Sequence, residues 1–397
     1  MLAFKKPSLP YCVHILFATT ALLLFNHACS RAIADTVRFK KIIITKDFIS
    51  EGVAGGDVNH DGNTDIMAGA FWFEAPGWKR HEIDKAKTFN PDTAFSNSFL
   101  NFSIDVDGDG WIDFIRIGFP GKEVVWYKNP ANKPGHWQKH TICSNIGNES
   151  PAFADVDGDG RPDILCNDPV NKEVVWFKSP SGNGDTVWKR YSIYKGDMAT
   201  GIYTHGLGLG DINGDGRKDV LITKGWWEAP RDVTQAGWLF HQADLGDDCS
   251  EMYTLDADSD GDADIISASA HNYGVWWHEQ AKTALGGIVF IHHTISKLFS
   301  ESHGLALADI NGDGAPDLIT GKRWYAHNGN DPGGKDAPVL YWFEYKPGKT
   351  PLWIPHLIDD NSGVGLHVVV HDMDGDSNPD IVIADKKGVF LFKQERR

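Results

Sequence analysis

The chain has 397 residues, 12% of them aromatic, and carries 54 acidic against 38 basic side chains for a formal charge of −16. That balance argues against a nucleic-acid partner, which calls for a basic surface that displaces counterions from phosphate. The length and aromatic content suffice for a substantial core, and no charge run or low-complexity stretch marks a further domain.

Residues 1–34 read as a secretory signal. Lys5 and Lys6 give the positive start, residues 15–25 the apolar stretch, and Ala32-Ile-Ala34 a small-x-small cleavage site. The apolar run is too short to cross a bilayer. The expected mature chain, 35–397, therefore has no transmembrane segment and is exported, periplasmic or extracellular. Cys29 raises lipoprotein anchoring as the alternative, against which Asn26 stands where a lipobox expects leucine. Cleavage would leave Cys143, Cys166 and Cys249, an odd set with at least one thiol unpaired within the chain. Cys143 and Cys166 are candidates for a bridge.

The mature chain then repeats one pattern, Asp-x-(Asp/Asn)-x-Asp-x-x-x-Asp. Its seven copies place side-chain oxygens at Asp57, Asn59, Asp61 and Asp65; Asp105, Asp107, Asp109 and Asp113; Asp155, Asp157, Asp159 and Asp163; Asp211, Asn213, Asp215 and Asp219; Asp256, Asp258, Asp260 and Asp264; Asp309, Asn311, Asp313 and Asp317; and Asp372, Asp374, Asp376 and Asp380. Successive copies start 48, 50, 56, 45, 53 and 63 residues apart. A period near 50 residues is the size of a propeller blade. The predicted fold is all-β, one seven-bladed β-propeller. Oxygens at positions one, three, five and nine, with a carbonyl near seven, can close on calcium, which takes about six to eight oxygens. Glycine stands at position six in six loops, and Ser377 in the seventh. The alternative is that these carboxylates only make Asx-turns.

Within a repeat, period-two apolar runs separated by Gly, Pro and Asp read as four strands. In the fourth they are 205–212, 220–223, 225–230 and 238–245. An aromatic pair recurs on the third strand: Trp72-Phe73, Trp126-Tyr127, Trp176-Phe177, Trp226-Trp227, Trp276-Trp277 and, in the sixth repeat, both Trp324-Tyr325 and Trp342-Phe343. Outer strands carry His81, His140, Tyr191, His241, His293 and His356 at matching places, which assigns them to structure. His60 and His371, in or beside the acidic loops, read as local packing or solvent residues. The last repeat offers three strands, 365–371, 380–384 and 389–393. The spare N-terminal run 37–45 is expected to supply its fourth and leave no long open edge. Residues 326–339 form the longest insertion, a candidate rim loop.

The repeat, clearest in Gly210-Asp-Ile-Asn-Gly-Asp-Gly216, resembles the FG-GAP/VCBS family across roughly 37–394. That resemblance implies a seven-bladed, calcium-binding propeller and leaves function open. His205-Gly-Leu-Gly208 and Gly225-Trp-Trp-Glu-Ala-Pro230 are also similar to the propeller portion of aldos-2-ulose dehydratase, a metal-dependent enzyme that removes water from keto-sugars. No catalytic assignment is carried over from it.

Six or five residues before the loops stand Glu51, Phe99, Glu149, His205, Glu251, His303 and His367, at the inner-strand starts. In a propeller these converge on the axis. His205, His303, His367 and Glu149 are candidate ligands of zinc or another divalent transition metal. Glu251 and His367 are offset by one residue, which in a regular strand turns them to the opposite side. Second-strand ends add polar groups at the same face. His271, Tyr203 and Lys224 are candidate acids or bases, and Lys322, Arg323 and Trp226 candidate substrate contacts. No phosphate loop, serine nucleophile elbow or Cys-x-x-Cys pair is present. Two readings follow. One is an exported metal-dependent lyase or dehydratase acting on an oxidised sugar or keto-sugar; the other is a non-catalytic calcium-stabilised propeller that binds glycans or proteins.

Overall fold

The computed structural model describes residues 37–396. The signal segment, its cleavage site and Cys29 lie outside the described residues. Short antiparallel strands dominate, as alternating apolar runs cut by Gly and Asp require. The helical content among the described residues is one 3-10 turn, Ala326–Gly329.

The strands curl into propeller-like sheets. Ala54–Gly56, Asp65–Ala68, Phe71–Glu74 and Lys79–Glu82 form one four-stranded meander. Leu305–Ala308, Asp317–Gly321, Leu340–Lys346 and Leu352–Asp359 form another. Two larger sheets each join a pair of meanders. In one, Gln138–Ala154 runs from the outside of one meander into the inside of the next. In the other, Leu207–Gly210 pairs in parallel with Glu251–Leu255. Every acidic loop connects the first strand of a meander to its second.

The last meander contains Val368–His371, Asp380–Asp385 and Gly388–Glu395, and the N-terminal strand Arg38–Thr45 completes it. Register runs antiparallel from Arg38↔Glu395 to Thr45↔Val389. Lys41 reinforces the seam, with its ammonium 2.8 Å from Asp359 and 4.6 Å from the Phe390 ring centre. Deletion of residues 37–45 would strip the edge of Gly388–Glu395 and uncover Phe390 and Phe392. The expected result is a fall in thermal midpoint of about 10 °C or more by scanning fluorimetry. An unchanged midpoint would show the strand to be dispensable.

Tryptophans pin third strands to outer strands. Trp72, Trp126, Trp226, Trp277 and Trp342 stack on His81, His140, His241, His293 and His356, and Trp176 on Tyr191, with ring centres 4.1–4.8 Å apart. The stacking member of the fifth pair is Trp277, and Trp324-Tyr325 belongs to the loop before the sixth meander's third strand. Cys143 and Cys166 meet in one core cluster as free thiols, and Cys249 is also free. Burial pushes the Cys143 thiol up to about 11.

The inner strand of the fourth repeat is shorter than its apolar pattern suggests, Leu207–Gly210. Gly206 has φ +76°, which ends the extended run and leaves His205 before the strand.

Candidate functional site

Each acidic loop is built the same way. The first Asp caps the turn: Asp105 accepts the N–H groups of Gly108, Asp109 and Gly110. The ninth Asp is fully buried and bolts the loop to its meander. Asp113, for example, accepts from Val106 N at 3.0 Å and Asn129 N at 2.7 Å. Burial pushes these carboxyls up, to about 6 at Asp65 and about 7 at Asp113. Their oxygens keep second lone pairs, and Asp105, Asp107 and Asp113 bring ligand atoms within 4.8 Å of one another, as do Asp155, Asp157 and Asp163. The donor set therefore fits a hard cation.

Third-strand ends tune the loops. Lys128 bridges Asp107 and Asp109, and Lys178 bridges Asp157 and Asp159. Lys393 reaches Asp374. At the same strand position Glu74, Glu228 and Glu344 accompany Asn59, Asn213 and Asn311 in the loops. Asp at position three thus goes with a lysine and Asn with a glutamate. The exception is Asp258, which faces Glu279.

A different cluster occupies the convergence of the inner-strand starts. His205, His271, Tyr203 and Glu149 line a cavity of about 400 Å³ with His327, Phe95, Phe99 and Phe119. His303 sits behind them, its ring centre 5.7 Å from His205 and 5.5 Å from His327. His205–His271 and His271–His327 centres are 4.6 and 4.3 Å apart.

The hydrogen bonds orient all four imidazoles. His205 Nδ1 lies 3.0 Å from Tyr203 O, and His303 Nδ1 3.2 Å from Glu301 O. A carbonyl only accepts, so both Nδ1 atoms carry hydrogen and both Nε2 atoms present lone pairs. Those two Nε2 atoms are buried without a partner among the described residues. One carboxylate orients the other pair: Asp331 Oδ2 is 2.9 Å from His271 Nδ1 and 2.7 Å from His327 Nδ1. Carbonyls and carboxylates behind imidazoles are the usual outer support of metal-binding histidines.

Burial disfavours the charged forms of His205, His303 and His327. Burial, with His271 and Arg323 nearby, lowers His205 to about 4. Burial and Arg323 hold His303 well below the ordinary imidazole value, and the same two causes lower His327. Burial pushes Asp331 up, but the bonds from His271 and His327 more than offset it, and its net shift is downward. Glu149 Oε2 lies 3.7 Å from His205 Nε2 and 3.6 Å from Arg323 Nη1. Glu149, His303 and His327 bring ligand atoms within 4.8 Å of one another.

Left-handed backbone concentrates here. Asn148, Glu301, Tyr325, His327 and Asn328 have φ of 75°, 57°, 53°, 46° and 58°. Non-glycine residues in this region cost energy and are retained where surrounding structure over-determines them. Here they aim Glu149, His303 and His327.

Residues 105–166 and 256–320 match the FG-GAP-like repeat. No curated protein matches the chain in sequence, so the narrower likeness to aldos-2-ulose dehydratase gains no support. Among solved structures, the BBS1N chain of a complex with ARL6DN superposes with a TM-score of 0.51 at 10% identity, covering 92% of this chain and 97% of that one. An Agrocybe aegerita lectin specific for non-reducing terminal N-acetylglucosamine gives 0.48 at 16% identity, over 91% and 93%. The V. cholerae biofilm matrix protein gives 0.46 at 11%, over 90% and 91%. At such identities the likeness concerns the fold alone.

Several sequence candidates lie elsewhere on these repeats. His367 and Glu251 line a smaller cavity, about 170 Å³, with Phe102, Phe153 and Tyr253. The one-residue offset turned them away from the histidine cluster. Lys224 points outward, 58% exposed and 3.4 Å from Asp247. Trp226 is core, stacked on His241. Lys322 is sealed in an ion pair with Glu301, and Arg323 is tied to Glu51 while its Nη1 faces Glu149. Both are buried supports that do not line the cavity. His327 and Asp331 escaped sequence reasoning, although the insertion that carries them was singled out as a rim loop.

Proposed function

We propose that the protein is an exported, metal-dependent carbon–oxygen lyase acting on an oxidised sugar or keto-sugar, built on a seven-bladed, calcium-stabilised propeller. The observation that carries the active-site reading is the pair of buried, unpartnered Nε2 atoms of His205 and His303. The oriented imidazoles of His205, His303 and His327, beside the Glu149 carboxylate, are a donor set for zinc or a related divalent metal.

His205, His303, His327 and Glu149 would hold that metal, which supplies polarisation of a carbonyl oxygen. His271, oriented by Asp331, would take the proton beside that carbonyl. The carbon–hydrogen electron pair forms the double bond, the adjacent carbon–oxygen bond breaks toward oxygen, and that oxygen leaves as water or an alcohol after protonation. Tyr203, 58% exposed at the cavity edge, would deliver the proton. The faces of Phe95, Phe99 and Phe119 offer apolar contact to a sugar ring. The test is ultraviolet detection of an unsaturated product from keto-sugars and uronates, with metal-stripped protein as control. Glycan binding without turnover by metal-loaded protein would favour the non-catalytic alternative.

Calcium in the acidic loops belongs to the same proposal. Chelation is expected to lower the thermal midpoint by about 10 °C, through loss of ligand linkage. Lys128 and Lys178 place ammonium groups on ligand carboxylates, so Lys128→Met and Lys178→Met should each tighten calcium binding severalfold by calorimetry. Chelation without effect would leave the loops as Asx-turns.

A further inference from the structure

A second cavity of about 620 Å³ adjoins the histidine cavity, and the two share Phe95 and Phe119 as a wall. Those rings stand 5.6 Å apart, centre to centre. Lys87, Arg116 and Lys122 line this second cavity, and Glu123 is the acid among its lining residues. Glu123 is already engaged by Lys139. The neighbourhood is therefore cationic in a chain whose formal charge is −16.

Arg116 indicates what the cavity receives. Its residue is 5% exposed, on the strand Asp113–Ile117, with the guanidinium 5.1 Å from the Tyr127 ring centre. Among the described residues its side chain makes no hydrogen bond. The carboxylate beside it, Asp84, lies 3.9 Å away and already accepts the Tyr127 hydroxyl at 2.6 Å. Donors that open onto a cavity can take up an acceptor there, and a guanidinium fork matches a carboxylate with two parallel bonds. Lys87 and Lys122 are exposed at the same cavity and add attraction without geometric demand.

We propose that this cavity is a subsite for the carboxylate of a neighbouring sugar unit, making the substrate an acidic, uronate-containing oligosaccharide. The reacting unit occupies the histidine cavity, and the next unit crosses the Phe95–Phe119 wall. The subsite deepens the carbohydrate reading above and rests on it for the identity of the reacting unit.

The test is calorimetric binding of trigalacturonate to the metal-loaded full chain, beside its fully methyl-esterified form and a sulfated neutral trisaccharide. The acid is expected to bind about tenfold tighter than the ester, because a charge-assisted pair replaces a neutral contact. That preference should weaken with salt and disappear in Lys87→Ala/Lys122→Ala and in Arg116→Gln. The lysine variant alters exposed side chains only, so its loss of preference is not a loss of fold. Equal affinity for acid and ester, a preference that survives both variants, or tighter binding of the sulfated trisaccharide overturns the uronate subsite. Elemental analysis reads the other question separately: acid preference in protein that holds no transition metal supports the subsite while refuting the elimination chemistry.

Discussion

On the proposed sites, His303→Ala protein is expected to lose bound transition metal while keeping calcium and fold. His303 is 2% exposed, and its Nδ1 hydrogen is committed to Glu301 O, so the Nε2 lone pair has no use within the protein. Removal leaves His205, His327 and Glu149, a weaker set, and affinity should fall by more than about 100-fold. His205→Ala should behave alike. Asp331→Ala is the milder companion: it frees His271 and His327 from their shared carboxylate and should cost about 10–100-fold in affinity without removing a ligand. Elemental analysis after brief dialysis against a weak chelator reads all three. Retained calcium distinguishes loss of the site from unfolding. Transition metal absent from the parent, or present unchanged in His205→Ala/His303→Ala, would remove the metal mechanism.

Glu251→Gln is expected to stabilise the protein, increasingly so as pH rises. Glu251 lines the smaller axial cavity, where its Oε2 accepts Leu305 N–H at 2.7 Å and no cation lines the same cavity. Burial raises its carboxyl from 4.5 to about 8. A raised carboxyl means the folded state binds the proton more tightly than the unfolded chain. Its contribution is fully present below 4.5 and is lost progressively as pH rises through about 8. Each pH unit in that window costs about 1.4 kcal/mol, so glutamine, which cannot ionise, should gain on the order of 5 kcal/mol by the top of it. Urea midpoints for parent and variant across the window check the slope. An advantage independent of pH would show that Glu251 does not change charge on folding.

Particular residues show why some of this was legible in sequence. The acidic loops were, because their carboxylate spacing is local and the turn that uses it is closed by neighbouring N–H groups. The strand Arg38–Thr45 was, because the last repeat lacks an outer strand and the spare run matches outer-strand text. His205 and His303 share one register and meet in one histidine cluster, His205 lining the cavity and His303 packed behind it. Glu251 and His367 sit one residue off that register and face another cavity. Lys224 and Lys322 stand at second-strand ends and Trp226 on the following strand, but side-chain direction, set by pleat and turn, carries them to solvent or core. His327 and Asp331 lie where consecutive left-handed residues fold an insertion back over the axis. No apolar period encodes such a path, and it depends on contacts distant in sequence.

The pairing of Arg38–Thr45 with Gly388–Glu395 has a consequence for assembly. The strand that leaves the ribosome early finds its partner only when the last meander exists, so the most distant contact in sequence is among the last to form. Until then it is an orphan edge surrounded by other nascent edges, any of which it could join in error. Arg38, Lys40 and Lys41 punctuate it with like charges, a composition that discourages strand addition by strangers. Lys41 then finds Asp359 once the correct neighbour is in place. The same basic side chains that repel premature partners thus help to recognise the right one.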